Sequence, residues 1–375
     1  MLILLLITSV FDIIYPAPPF LVRPQKVMLG KLMLRVTKHG AILRPSKLKF
    51  ENKSVFNPGV FQDGDKVQIV YRALNKEFVS CFGYAELSGP LEVVKRWKKP
   101  LYTPKLKYES KGIEDPRITK IGDTFFVIYV AHDGRHAVIA YMHGQSLFKL
   151  RRGGIISSTM KYRDAICLFE QAKLKDDYYF FASFYEKFAH KNVKIWEKDG
   201  LLFPEKIRGQ YALLHRVLPD IQIARFKNFK ELKTDNYWKK HIKNIDKHVV
   251  LEGQHGWEAR HVGGGAPPVK TNKGWLIIYH GVEPRNKGRI YYAGAALLDL
   301  KDPTKMIARL PKPLFVPEHY NERNGHVYNV VFPTGTSEFN KRLYIYYGSA
   351  DSRVAVASVN KEKLIKELLK NKVKY

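Results

Sequence analysis

The chain has 375 residues, 45% of them hydrophobic, which is typical of a globular protein that can bury a core. Its formal net charge of +29 fits a nucleic-acid or anionic-membrane partner, and also a Lys-rich surface like those of proteins from hot environments. Basic residues are spread along the chain apart from the run in 361–373, so we do not expect nucleic acid to be the primary partner. Cys81 and Cys167 form neither a metal-ligand spacing nor a disulfide framework, and a cytoplasmic location is therefore expected.

Residues 1–31 form an apolar N-terminal extension. Met1–Tyr15 is too short for a comfortable transmembrane helix and lacks the basic start of a signal peptide. Three alternatives remain open: a translation start placed too far upstream, since Met28 and Met33 lie just before the first patterned segment, a membrane-proximal anchor, or a packed terminal segment. Membrane association is left open, and we expect the fold to begin near Leu32.

A short pattern recurs five times along the chain: a Pro or Asn-Pro, a turn with Gly or Lys, and an aromatic-rich strand. The copies are Asn57–Tyr71, Asp115–Tyr129, Phe203–His215, Pro267–Tyr279 and Asn329–Tyr346. The copies are followed by runs with strand alternation at Phe78–Leu87, His136–His143, Asp220–Phe226, Arg289–Leu298 and Ser352–Val359. Different polar residues stand at comparable strand ends, so the pattern predicts a ring of sheets around a shared pocket.

Two segments depart from this pattern. Phe148–Glu197, between the second and third copies, is longer and more mixed, and we expect it to carry a strand pair at Tyr178–Phe184 plus loops over the site. Residues 360–375 have apolar residues at helical spacing with charges between them, which predicts an amphipathic helix lying on the body.

The second copy opens with a candidate catalytic acid. Pro116 biases Asp115 towards extended geometry, so its carboxylate is expected to project from the start of a strand with little freedom. Arg117 could pair with Glu114 and leave Asp115 as a separate acid. The alternative is an ordinary Asp-Pro turn.

Other polar residues offer groups for a sugar or an anion. Asn57 and Arg72 can donate to sugar hydroxyls, although a turn Asn and a surface Arg explain them equally well. Lys198, Arg216 and His280 could converge on a phosphate. The sequence has no P-loop, dinucleotide fingerprint, nucleophile elbow or metal-ligand spacing, so we predict neither a metal nor a cofactor.

Several short motifs, in this order and spacing, resemble glycoside hydrolase family 130, the β-mannoside phosphorylases and related β-mannosidases. The resemblance extends from about Leu34 to Val359. It rests on Val55–Gly59, Gly112–Arg117, Lys198–Gly200, Leu202–Ile207, Leu214–Arg216, Gly264–Pro268, Tyr279–Val282, Gly294–Asp299, Asn329–Phe332 and Tyr347–Asp351. It implies an all-β fold, with residues 32–359 as one five-bladed β-propeller catalytic domain and a short C-terminal helix.

The resemblance also implies roles for individual residues. Asp115 matches the catalytic acid, which in the phosphorylases is thought to act through a sugar hydroxyl. The residues assigned to the sugar are Asn57, Arg72, Glu114, Arg117 and Asp351, and those assigned to phosphate are Lys198, Arg216, His280 and Tyr291. Lys198 stands where many phosphorylases carry Arg, and it keeps the charge but loses the bidentate fork.

The expected reaction is inverting phosphorolysis of a β-mannoside, with inorganic phosphate as co-substrate and α-mannose 1-phosphate as product. The alternative is a β-mannosidase, because an altered phosphate cluster occurs in hydrolases of the family and Glu258, Glu283 and Glu322 are candidate bases. Retained Arg216 and His280 favour phosphate. A non-catalytic glycan- or nucleic-acid-binding propeller ranks third, and the linkage, the acceptor and homo-oligomer formation are left open.

Overall fold

The computed structural model describes residues 34–189 and 192–373, so the N-terminal extension, residues 1–31, lies outside the described residues. Strands dominate the described part of the chain, which confirms the all-β prediction at the level of fold class. The strands are β1 Thr37–Leu43, β2 Ser54–Asp63, β3 Lys66–Leu74, β4 Ser80–Ser88, β5 Glu92–Arg96, β6 Gly112–Ile121, β7 Thr124–His132, β8 Ala137–Gly144, β9 Arg151–Ile155, β10 Glu197–Leu202, β11 Tyr211–Val217, β12 Ile221–Phe226, β13 Val249–Leu251, β14 His261–Gly264, β15 Val269–Thr271, β16 Gly274–Pro284, β17 Arg289–Leu298, β18 Met306–Arg309, β19 Val331–Phe339, β20 Arg342–Ser349 and β21 Arg353–Asn360. The helices are α1 Tyr162–Phe169, α2 Asp177–Phe188, α3 Asp235–Lys243, α4 Tyr320–Arg323 and α5 Lys361–Lys370.

These strands form five antiparallel units. Unit 1 is β2–β5, unit 2 is β6–β9, unit 3 is β10–β13, unit 4 is β14–β18, and unit 5 is β19–β21 with β1 added beside β21. Units 1 and 2 are joined by a single parallel pair, Ser80 with Gly112. In unit 5 the first strand of the described chain pairs with the last, Thr37 opposite Ser358, so the two ends are held in one sheet.

Neighbouring units bury their hydrophobic faces against each other. The inner strands β2, β6, β10, β14 and β19 belong to successive units, and β19 of unit 5 packs on β2 of unit 1. Separate clusters lie between successive units, and the one between units 5 and 1 includes Val55, Ile69, Tyr346 and Val356. Burial of alternate strand residues on both faces therefore stabilises the array.

Three inner strands contain the same irregularity. The ladder shifts between Phe56 and Gly59 in β2, between Glu114 and Arg117 in β6, and between Lys198 and Leu201 in β10. The shifted residues Asn57, Asp115 and Asp199 have φ values of 47°, 50° and 57°. The prediction of an extended Asp115 is therefore wrong: a β-bulge places it in the left-handed region, which Asn and Asp tolerate better than most residues.

The segment between units 2 and 3 also differs from expectation. Tyr178–Phe184 forms no strand pair and lies within the helix α2, which packs on α1. Tyr178, Phe181 and Ala182 are buried, and their spacing of three and four residues places them on one helical face. A short aromatic-rich run is compatible with a strand or a helix, and here its packing against α1 favours the helix. The helix expected in 360–375 spans Lys361–Lys370, with Leu364 and Leu368 buried.

A buried glutamate holds four of the units in the same way. In each, the glutamate precedes the innermost strand and accepts a hydrogen bond from a tyrosine hydroxyl on the strand paired with that innermost strand. It also forms an ion pair with a lysine or arginine from an outer strand. The sets are Glu51, Tyr71 and Arg96; Glu109, Tyr129 and Arg152; Glu258, Tyr279 and Arg309; and Glu322, Tyr347 and Lys38. We call this arrangement the glutamate clasp. Unit 3 departs from it: Glu197 contacts His215 at 2.6 Å, and His215 contacts His241 of α3 at 3.0 Å.

Candidate active site

The bulges of units 1 and 2 bring Asp115 to the inner edge of the array. Its Oδ1 accepts a hydrogen bond of 2.9 Å from Asn57 Nδ2 and one of 3.4 Å from Arg72. Gly348 makes room for this pair, since a Cβ there would collide with Asn57 Oδ1. Within the described part of the chain, Oδ2 of Asp115 accepts no hydrogen bond. One carboxylate oxygen is thus fixed by the protein and the other is left for a ligand.

Glu114 lies beside Asp115 in a cationic setting. It is paired with Arg72 at 2.6 Å and with Lys198 at 3.5 Å, so the expected pairing with Arg117 is not found. Burial alone would raise the pKa of Glu114, but Arg72 and Lys198 outweigh it and lower that pKa to about 2. Glu114 is therefore ionised at neutral pH and orients the two cations.

Arg117 is buried and bonded to the backbone of the site. The residue is 1% exposed, its Nε donates to the carbonyl of Gly265, and one terminal nitrogen donates to the carbonyl of Asp115 at 2.8 Å. These contacts pin the backbone of the bulge that carries the candidate acid. Its assignment to sugar binding stays a prediction, and the structure gives it a positioning contact instead.

The inner ends of units 3 and 4 supply a second cluster. Arg216 of β11 lies 2.8 Å from Oδ2 of Asp199 and 3.4 Å from Nε2 of His280, which belongs to β16. Burial, Arg216 and Arg117 lower the pKa of His280 well below its ordinary value, so the ring is neutral. Sequence reasoning quoted Asp199 as part of a motif and gave it no role. Its position before Gly200, like Asn57 and Asp115 before proline, was the available signal.

Unsatisfied donors gather around Arg216. Among the described residues, no hydrogen-bond partner is found for Arg216 Nε, Arg260 Nε, His261 Nδ1 or His280 Nδ1, all of them buried. Burial lowers the pKa of His261 well below its ordinary value, and that of Arg260 is also lowered, with Arg289 and Arg216 contributing. Buried donors without partners are costly, so their convergence indicates a site for an anion. Sequence reasoning missed Arg260 and His261, which carry no local motif.

Two further residues predicted from the sequence, Tyr291 and Asp351, lie next to these two clusters. The ring centroid of Tyr291 is 5.9 Å from that of His280, which brings it to the second cluster. Asp351 of unit 5 is in the left-handed region, with φ 49°. Burial, with a further contribution from Asp115, raises the pKa of Asp351 to about 6 against the opposing effect of Arg72. Asp351 therefore interacts electrostatically with the first cluster, which surrounds Asp115.

The three candidate bases are engaged elsewhere. Glu258 and Glu322 are the glutamates of the clasps of units 4 and 5, and each also accepts hydrogen bonds from two backbone amides. Glu283 accepts from the hydroxyl of Tyr292 at 2.6 Å and pairs with Arg285 at 2.9 Å. Since the clasp recurs in four units, Glu258 and Glu322 are explained by stability rather than by catalysis.

Other kinds of site are less well supported. A cavity of about 580 Å³ lies on the outer side of unit 3, between β12 and α3, and its lining includes Arg225, Lys240, Lys247 and His248. It holds none of the residues discussed above apart from His241. Residues 34–189 and 192–373 contain no cluster of three or more metal-ligating His, Cys, Asp or Glu side chains. In the same ranges, no helix has the length and apolar character needed to cross a bilayer.

Comparison with known proteins assigns the chain to a family. Residues 35–370 match the family described as beta-1,4-mannooligosaccharide phosphorylase, glycoside hydrolase family 130. The chain belongs to that family. The resemblance drawn from the short motifs is thus confirmed over nearly the whole described chain.

The curated relatives of this family 130 chain are mannoside phosphorylases. The chain is 34% identical to a beta-1,2-mannobiose phosphorylase of Thermoanaerobacter sp. strain X514, over 88% of this chain and 99% of the relative. It is 32% identical to a 1,2-beta-oligomannan phosphorylase of the same strain, over 86% and 95%. A beta-1,2-mannobiose phosphorylase from Listeria innocua, solved with beta-1,2-mannobiose, superimposes with a TM-score of 0.67 at 24% identity, covering 89% of this chain and 99% of that one.

Proposed function

We propose that this enzyme cleaves β-1,2-mannosidic bonds with inorganic phosphate. The observation that carries the proposal is the pairing of two clusters: a carboxylate with one free oxygen at Asp115, and buried unpartnered donors around Arg216. Relatives aligned over 95% or more of their own length are named for β-1,2-mannobiose or 1,2-β-oligomannan, which supports this linkage over β-1,4. The product would be α-mannose 1-phosphate, formed with inversion.

The five units are, in this proposal, the blades of a β-propeller. The cyclic packing order, with unit 5 against unit 1, and the pairing of β1 with β21 support it. Asn57, Asp115 and Asp199 then lie at the inner ends of three consecutive blades, around one axis. A shared axial pocket lets different blades contribute the acid, the sugar contacts and the anion contacts.

The chemistry follows from the two clusters. A phosphate oxygen attacks the anomeric carbon as the glycosidic bond breaks, and the bonding electrons go to the leaving oxygen, which takes up a proton supplied by Asp115. In the family this proton passes through a sugar hydroxyl, as the resemblance implies. Phosphate is already an anionic nucleophile, so no carboxylate base is needed, and cations that hold it are needed instead. Arg216, Lys198, His280 and Tyr291 would supply that cradle.

Hydrolysis on the same scaffold is the second candidate. Inverting hydrolysis needs a carboxylate base as well as the acid. Asp199 is the observation that favours it, because this carboxylate lies in the second cluster, and burial, with a further contribution from Asp115, raises its pKa. The engagement of Glu258 and Glu322 in the clasps argues against the bases considered from sequence.

The proposal is tested by linkage and by phosphate. Purified enzyme is incubated with β-1,2-mannobiose and with β-1,4-mannobiose, each with and without inorganic phosphate, and sugar phosphate and free mannose are measured. We expect phosphate-dependent formation of sugar phosphate from the β-1,2 substrate. Equal release of mannose with and without phosphate, and no sugar phosphate, would establish hydrolysis instead.

We also propose a cytoplasmic location. The free thiols of Cys81, which is buried, and Cys167, which is exposed, suit a reducing compartment.

A further inference from the structure

Asp199 places a negative charge inside the cluster assigned to an anion. Its side chain is only 2% exposed, and Oδ2 lies 2.8 Å from Arg216 and 3.8 Å from Nε2 of His280. The backbone of Gly263 covers it from unit 4, where a Cβ would collide with both Asp199 Oδ2 and His280. The carboxylate therefore occupies a tight space next to the cation that would hold a nucleophilic phosphate.

The contact between Asp199 and Arg216 is close but poorly directed. Within the described ranges, neither Oδ2 of Asp199 nor Nε of Arg216 has a hydrogen-bond partner, although the two side chains are ion-paired. Arg309 in the clasp of unit 4 also has a terminal nitrogen that is ion-paired with Glu258 without a hydrogen bond, but its Nε donates to the hydroxyl of Tyr279, whereas Nε of Arg216 has no partner among the described residues. The misalignment leaves the guanidinium with capacity for a second anion.

We propose that Asp199 competes with phosphate for Arg216 and His280, and so sets the affinity of the site for its anionic co-substrate. Phosphate would bind when the Asp199 carboxyl is protonated or turned away from Arg216, and the returning carboxylate would favour release. This inference rests on the proposed function, since it assumes that the cluster binds phosphate. Two like charges a few ångströms apart in a buried site repel strongly, so the effect is large enough to measure.

The charged surroundings of Asp199 determine its response to pH. Arg216 of β11, Arg117 and Asp115 of β6, Lys198 of its own strand and the neutral His280 of β16 face it. Burial raises the pKa of Asp199 above its ordinary value; Arg216, Arg117 and Lys198 oppose this, and Asp115 adds to it. Lowering the pH towards that pKa neutralises the competitor, so the penalty on phosphate binding falls as pH falls.

The test is calorimetric titration of inorganic phosphate into wild-type enzyme and Asp199→Asn, from pH 5 to pH 8. Asparagine keeps the shape and tolerates the left-handed backbone, so the substitution removes charge with little strain. At pH 8 we expect phosphate to bind the variant at least about tenfold more tightly, with the difference narrowing as the pH falls. Asp123→Asn, in the exposed turn between β6 and β7, is the matched control for the change in net charge and is expected to bind like wild type.

The binding readout separates this inference from the proposed function. Equal or weaker phosphate binding by Asp199→Asn at pH 8, in a folded protein, would overturn the competitor role. Loss of a phosphate-independent release of mannose in Asp199→Asn would also overturn it, because Asp199 would then be a base for water. If wild type binds phosphate and the variant binds it more tightly, yet neither forms sugar phosphate, the competitor role stands and the proposed reaction fails.

Discussion

Asn57 donates a hydrogen bond of 2.9 Å to Oδ1 of Asp115, joining the bulge of unit 1 to the bulge of unit 2. The bond crosses between two units whose inner strands are separate in sequence. It restrains the side chain of the candidate acid through Oδ1. The acid is therefore positioned by the contact between units, as preorganised catalysis requires.

Replacing the acid should separate catalysis from binding. Asp115→Asn keeps the left-handed backbone and removes the proton donor, so turnover should fall by about 10²–10⁴-fold while binding of β-1,2-mannobiose changes little. Steady-state kinetics and calorimetry measure the two effects. Asp133→Asn, in the partly exposed turn after β7, is a control for the same chemical change. Near-parent turnover in Asp115→Asn would make Asp115 a structural turn residue.

Arg216 should affect phosphate more than sugar. Arg216→Ala removes a cation worth about 1.5–3 kcal/mol in charge-assisted hydrogen bonds, so the KM for phosphate should rise by about 10–100-fold. The KM for the mannoside should change much less. Arg216→Lys keeps the charge without the planar fork and should lie between wild type and Arg216→Ala. An equal rise in both KM values would mean that Arg216 organises the whole pocket rather than the anion site.

The glutamate clasp gives a matched test of the candidate bases. Glu258→Gln and Glu109→Gln each weaken a buried ion pair in equivalent positions of units 4 and 2, and each should lower the free energy of unfolding by about 3 kcal/mol or more. Activity per folded molecule should be similar in the two variants. Denaturant unfolding and kinetics on the folded fraction measure this. Selective loss of activity in Glu258→Gln would restore Glu258 as a base.

Asp351 should make stability depend on pH with a definite sign. Its pKa in the folded protein is about 6, above the ordinary 3.8, so the folded state holds the proton more tightly than the unfolded state. The penalty for ionising Asp351 therefore appears as pH rises through about 4 to 6, and reaches at most about 3 kcal/mol above that range. Asp351→Asn should raise the free energy of unfolding at pH 8 and change it little at pH 4. An equal increase in the free energy of unfolding at pH 4 and pH 8 would show that ionisation of Asp351 does not cause the effect.

The strand pattern could be predicted from the sequence because aromatic and β-branched residues alternate within it. Arg289–Leu298 coincides with β17, and Phe78–Leu87 overlaps β4. The helix α2 could not be predicted in the same way. Tyr178–Phe184 is short and rich in aromatic residues, so its pattern does not distinguish the 3.6-residue period of a helix from the two-residue period of a strand. Its docking on α1 is a tertiary effect.

The candidate site was only partly accessible to sequence reasoning. Motifs led to Asp115 and Arg216, but they could not reveal that a bulge gives Asp115 a positive φ, because the register shift lies in the pairing of β6 with β7. Arg260 and His261 reach the anion cluster only through folding of unit 4 against unit 3. The glutamate clasp could not be predicted from the sequence either, because each glutamate contacts a tyrosine and a cation that are distant from it in the sequence.

Phosphorolysis is tested most directly by a phosphorus NMR time course with β-1,2-mannobiose and inorganic phosphate. We expect the phosphate signal to decline as a sugar-phosphate signal grows in equal amount, with one mannose released for each phosphate consumed and α configuration in the product. An unchanged phosphate signal while the disaccharide disappears would exclude phosphorolysis and identify the enzyme as a hydrolase.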